Sequence, residues 1–150
     1  MSTTIHATCV SIGGRGVLIS GPSGSGKSDL ALRLIDRGAR LVSDDYTSIR
    51  RAGDHLLASA PDTIAGRIEV RGIGIVAFPA EAGIPVCLIA ELGRTPERLP
   101  LAGRHMLLDV AIPSVVLAAL EASAPIKLES ALDLFGLKRE GEAPHEAPTP

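Results

Sequence analysis

The segment Gly21-Pro22-Ser23-Gly24-Ser25-Gly26-Lys27-Ser28 constrains this chain more than any other. It fits G-x-x-x-x-G-K-[ST] at every position, the pattern of a loop that cradles nucleotide phosphates between a strand and a helix. The flanks supply that context. An apolar run over 16–20 leads in. Residues 27–37 lead out as a helix, with Leu30, Ala31, Leu34 and Ile35 on one stripe and Gly38 as its stop. The residue types follow from the task. Gly21, Gly24 and Gly26 permit positive φ and leave no Cβ to block an anion. The backbone N–H groups can then converge as a nest, with the positive end of the helix dipole behind them. Lys27 is placed to reach the β- and γ-phosphates and Ser28 to offer a hydroxyl to Mg²⁺. ATP and Mg²⁺ are the expected ligands.

The rest of the chain is not a regular alternation of strands and helices. Residues 4–12 and 17–20 read as strands around the turn glycines Gly13 and Gly14. Arg40–Ser43 is a short strand that ends at Asp44-Asp45. Residues 46–51 and 56–59 read as strands around a turn at Ala52-Gly53-Asp54, and 67–71, 73–78, 86–91 and 105–110 as further strands. Helical pattern returns late. The expectation is a helix starting near Pro113 and running to 121, then one over 124–135, capped by Ser123 and stopped by Gly136. Residues 138–150, rich in proline and charge, read as a disordered tail, leaving 1–137 as one domain. The fold class is α/β: a P-loop kinase core with a β-rich middle and C-terminal helices.

Three further features bear on chemistry. Asp44 and Asp45 lie 17 and 18 residues after Lys27, at a strand's carboxyl end, where open α/β sheets line their ligand crevice. One carboxylate can accept a proton from an attacking hydroxyl, and either can bind a metal-ligated water. The run Ile68-Glu69-Val70-Arg71-Gly72-Ile73-Gly74-Ile75-Val76 places Arg67, Glu69 and Arg71 on one strand face, suited to metal and phosphate charge. His6 lies one hairpin before the P-loop, within reach of it if the two strands pair.

Composition excludes other partners. Aromatics make up 2% of the 150 residues, so neither a stacking platform for single-stranded nucleic acid nor an aromatic clamp for adenine is available. ATP is expected to be held through its phosphates and metal. Fifteen basic against 17 acidic residues leave no excess for a nucleic-acid backbone. No segment approaches the roughly 20 apolar residues of a membrane span, and no signal peptide is evident. A cytoplasmic protein is expected, with Cys9 and Cys87 as small core residues.

His6, the P-loop, Leu41-Val42-Ser43-Asp44-Asp45 and the element E-[IV]-R-G-[IL]-G at 69–74 come in an order and spacing that resemble the catalytic domain of bacterial HPr kinase/phosphorylase. The resemblance is close over residues 5–76. It implies an ATP-dependent kinase acting on a serine of the phosphocarrier protein HPr or its nitrogen-branch relative. It also implies a reverse phosphorolysis that yields pyrophosphate. By match, Lys27 holds phosphates and Ser28 and Glu69 bind Mg²⁺. Asp45, with Asp44 beside it, serves as base forward and acid in reverse, and His6 stands at the family's active-site histidine. Family members form hexamers, so a homo-oligomer is implied. The family's usual N-terminal domain has no counterpart here, as in the short forms of alphaproteobacteria. A Gly-Arg-Asn-containing segment near the family's C-terminus is replaced by residues 122–127, and the loop over 79–85 is short. Arg94, Arg98 and Arg104 are the alternatives for the family's catalytic arginine. From the residues alone, a small-molecule kinase and a non-catalytic ATP-binding regulatory module stay open beside the protein kinase.

Overall fold

The computed structural model describes residues 1–96 and 103–138, and all that follows concerns these. In chain order the strands are β1 (Ser2–Ile5), β2 (Ala7–Ile12), β3 (Arg15–Ser20), β4 (Arg40–Ser43), β5 (Thr47–Ala52), β6 (His55–Ser59), β7 (Arg67–Val70), β8 (Gly74–Ala77), β9 (Ile84–Glu91), β10 (Gly103–Leu107) and β11 (Val110–Val116). Helix α1 (Lys27–Asp36) follows the P-loop and α2 (Ala124–Phe135) follows β11.

The main sheet runs β1-β5-β6-β9-β3-β2-β4, and β11 joins the far end of β9 and carries β10. Strand β9 is the branch. Its first residues pair antiparallel with β6, its body pairs parallel with β3, and its last residues pair parallel with β11. The two faces around β2 and β3 are both buried. Val10, Val17 and Ile19 point into a core shared with α1 and α2, while Cys9 and Leu18 point into a second core with Val42, Ile49 and Leu56. Burial on both faces explains why these strands read as unbroken apolar runs.

Several expectations change. The expected strand over 4–12 breaks at His6, because β1 pairs with β5 whereas β2 pairs with β3 and β4. The expected helix from 113 to 121 does not form: residues 113–116 complete the second strand of a hairpin, and 117–121 are irregular chain and turn. Residues Leu108 and Asp109, both at positive φ, turn β10 back into β11. The β-branched content of β11 outweighs the Pro-Ser start signal, and Pro113 precedes the stretch Ser114–Val116 that bonds to β9, so its missing N–H costs that ladder nothing. Ser123 occupies the N-cap of α2 without a side-chain capping bond. Gly136 ends α2 at φ −67°, so left-handed geometry is not its reason. A Cβ there would sit 2.5 Å from the Leu132 carbonyl and 2.9 Å from the Arg15 guanidinium. Gly38 (φ 108°) does end α1 in the left-handed region, and Gly13 and Gly14 form the β2–β3 turn as expected. The expected tail lies outside the described residues from 139 onward.

Candidate active site

The sheet topology brings the sequence features to one edge. Strands β3 and β4 flank β2, and both run antiparallel to it, so their carboxyl ends meet the start of β2. Ala7 pairs with Ser20 and Cys9 with Ser43. The P-loop, Asp44-Asp45 and His6 therefore converge without any long side chain having to reach. Strand β9 ends at the same level, with Glu91 paired to Ser20.

The loop has the backbone its sequence implies. Gly21, Gly24 and Gly26 all take positive φ. At Gly21 a Cβ would meet the Ser25 hydroxyl at 2.7 Å and the Leu92 carbonyl at 3.0 Å, so the turn tolerates only glycine. The Ser25 Oγ is buried and has no hydrogen-bond partner among the described residues, an orphan polar atom within the glycine loop. Lys27 is buried, its Nζ donating to the carbonyls of Gly21 (2.9 Å) and Pro22 (3.1 Å). Ser28 sits in the first turn of α1, and its Oγ donates to Asp44 Oδ1 at 2.6 Å.

Asp44 is buried and accepts two more hydrogen bonds. Thr8 Oγ1 reaches Oδ1 at 3.2 Å, and the backbone N–H of Glu69 reaches Oδ2 at 3.1 Å. This one carboxylate thus ties helix α1, strand β2 and the β7–β8 hairpin together. Asp45 turns the other way. Its side chain is 58% exposed and its Oδ1 lies 2.9 Å from His6 Nε2. The Tyr46 ring packs on His6 with centroids 5.2 Å apart.

The structure joins His6 to Asp45 and Ser28 to Asp44, ties Glu69 to Asp44 through its backbone, and holds Lys27 on the carbonyls of the loop itself. The Glu69 side chain is exposed on the same face as Arg67, around buried Ile68. Arg71 leaves that face, because β7 ends at Val70 and Arg71-Gly72-Ile73 form the hairpin turn. Of the candidate arginines, Arg94 donates to Glu91 at 2.7 Å, Arg104 lies exposed on β10, and Arg98 falls outside the described residues. Glu91 also bonds His105. Burial opposes the Glu91 charge, but the hydrogen bonds from His105 and Arg94 outweigh it and hold the carboxyl below its ordinary value. Thr8 escaped sequence reasoning. Its signal was a lone hydroxyl in the otherwise apolar run Ala7-Thr8-Cys9-Val10.

A nest of glycines, a buried ammonium and a hydroxyl–carboxylate pair fit a phosphate chain with a hard divalent cation. Mg²⁺ takes one or two protein oxygens and fills its other positions with water and substrate phosphate. Among the described residues no group of three or more His, Cys, Asp or Glu side chains is arranged to hold a metal ion.

A family model, the HPr Serine kinase C-terminal domain, matches residues 1–88. An HPr kinase/phosphorylase of Peptoclostridium acidaminophilum is 40% identical over 130 residues, covering 77% of this chain and 42% of that protein. One of Geobacillus thermodenitrificans is 37% identical over 155 residues, covering 93% and 50%. The chain spans about half the length of the curated relatives it matches. A solved structure of the Hpr(Ser) kinase/phosphatase from Coxiella burnetii superposes with a TM-score of 0.76 at 31% identity, over 87% of this chain and 93% of that one. Matched in sequence over its P-loop half and in fold over nearly its whole length, the chain belongs to the HPr serine kinase C-terminal domain family.

Proposed function

We propose that this protein transfers the γ-phosphoryl group of ATP to a serine hydroxyl of the phosphocarrier protein HPr or its nitrogen-branch relative. The observation that carries the reading is the division of labour between two adjacent carboxylates beside one P-loop. Asp44 bonds the Ser28 hydroxyl, while Asp45 faces solvent beside His6.

Asp45 takes the serine proton as the serine oxygen attacks the γ-phosphorus, and the bond to the β–γ bridging oxygen breaks to release ADP. In the reverse direction inorganic phosphate attacks the phosphoserine phosphorus. Asp45 returns the proton to the departing serine oxygen, and pyrophosphate forms. His6 fixes the Asp45 carboxylate on one side and leaves its second oxygen for the substrate. Lys27 and the P-loop amides orient the phosphates and spread the charge that develops on them. Ser28, Asp44 and Glu69 are the residues that would hold Mg²⁺ directly or through water. Mg²⁺, when bound, neutralises phosphate oxygens that otherwise repel the nucleophile.

The test is incubation with ATP, Mg²⁺ and the phosphocarrier protein of the host, followed by mass spectrometry of the partner. One added phosphoryl group on a serine is expected. ATP binding with an unmodified partner, or transfer to a metabolite instead, would refute the reading. Size measurement in solution tests the homo-oligomer that the family implies.

A further inference from the structure

Asp45 sits in a backbone conformation that L residues rarely adopt. Asp45 has φ 66°, and the N–H of Tyr46 donates to the Asp44 carbonyl at 2.7 Å. Asp45 is therefore the middle residue of a γ-turn of positive φ, which is rare and strained. Strain of this kind persists only where surrounding contacts over-determine it. Here the Ser43 hydroxyl bonds the Tyr46 carbonyl across the turn. The other restraint comes from outside the segment. Thr8 Oγ1 accepts the Asp45 N–H at 3.2 Å and donates its own hydrogen to Asp44 Oδ1 at 3.2 Å. Thr8 is fully buried, where a hydroxyl is costly unless its capacity is used. Both bonds go to the aspartate pair.

We propose that Thr8 is a positioning residue for phosphoryl transfer. Its single hydroxyl locks the γ-turn and so sends the two carboxylates apart, Asp44 into the buried socket with Ser28 and Asp45 out to His6. Thr8 touches no reacting atom and acts only through these two residues. The inference rests on the reading of Asp45 as the base.

Thr8→Val keeps the side-chain volume and removes both bonds, whereas Thr8→Ser keeps the hydroxyl. Three quantities are compared across wild type and variants: kcat for transfer to the phosphocarrier protein, ATP affinity, and hydrogen exchange of the Asp45 amide by NMR. For Thr8→Val, kcat is expected to fall roughly 10- to 100-fold, as for other lost supports of a site's ligating groups. ATP affinity measured without Mg²⁺ stays the same and the Asp45 amide exchanges faster. Thr8→Ser recovers all three values. Wild-type kcat in folded Thr8→Val overturns the proposal, as does a Thr8→Ser variant equally impaired. If Thr8→Val does not fold, Thr8→Ala replaces it under the same criteria. If the wild type transfers nothing, the kinase reading has failed separately. The Asp45 amide then decides alone: faster exchange in Thr8→Val supports the Thr8 lock, and unchanged exchange refutes it.

Discussion

Asp44 and Asp45 are neighbours in the chain with opposite surroundings. Asp44 is buried and accepts from Ser28, Thr8 and Glu69, whereas Asp45 is mostly exposed and its carboxylate meets only His6 among the described residues. This separation gives a sharp pair of expected outcomes. Asp45→Asn is expected to lower transfer by about 10² to 10⁴, the usual contribution of a general base, with ATP affinity intact. Lys27→Ala is expected to lose nucleotide affinity as well, read by calorimetric titration. The P-loop and the aspartate pair were legible in the sequence because the chemistry itself demands those residue types at that spacing. Thr8 was not, because its partner is set by the β2–β4 register, which shifts between Cys9 and Val10, and no alternation pattern reveals a bulge. Cys9 gives an independent check on the core. Burial pushes its thiol far above the ordinary range, the nearby Cys87 adding to the shift, and no disulfide joins the two among the described residues. Cys9 is expected to stay unlabelled by a thiol reagent in the native protein and to react once urea unfolds it.

At the scale of elements, glycine punctuation predicted the hairpins well. The β5–β6 turn is the cleanest case. Gly53 has φ 62°, and a Cβ there would meet nothing within 4 Å, so strain alone opposes a side chain. Gly53→Ala is expected to cost about 1 kcal/mol in urea unfolding, the lower end of the left-handed penalty. The β10–β11 hairpin escaped because Leu108-Asp109 lacks the Asn-Gly or Asp-Gly signature that such a turn normally shows. Strand β9 is tied to β10 by the Glu91–His105 contact, with Arg94 on the other carboxylate oxygen. The folded Glu91 carboxyl sits below its ordinary value of 4.5, so its contribution to stability is complete above that pH and is lost as pH falls through the depressed folded value. Glu91→Gln is therefore expected to flatten the loss of stability below about pH 4.3, measured by urea unfolding across an acid series.

For the whole molecule, the end of α2 is held from the end of β3 opposite the P-loop. Arg15, at the start of β3, is buried and donates to the carbonyls of Leu132 and Leu137 at 2.8 to 3.1 Å. At Leu132 it adds a second donor to the Gly136 N–H that closes the helix, and it also holds the Leu137 carbonyl just beyond the helix. Arg15→Met is expected to cost about 2 to 3 kcal/mol in global stability, since charge-assisted bonds are lost and the Leu137 carbonyl loses its guanidinium donor. Hydrogen exchange should quicken first in α2. Nothing in the sequence announced this clamp, because Arg15 and Leu137 are 122 residues apart. The parallel pairing of β3 with β9 has a similar reach, with residues 21–83 lying between them. Closing so long a loop is slow, and during synthesis β3 leaves the ribosome well before β9 does. A nascent chain that has not yet reached β9 carries an intact P-loop sequence on a β3 strand whose β9-facing edge is open to other chains. The glycine loop that follows β3 is thus among the last segments to acquire all its neighbours.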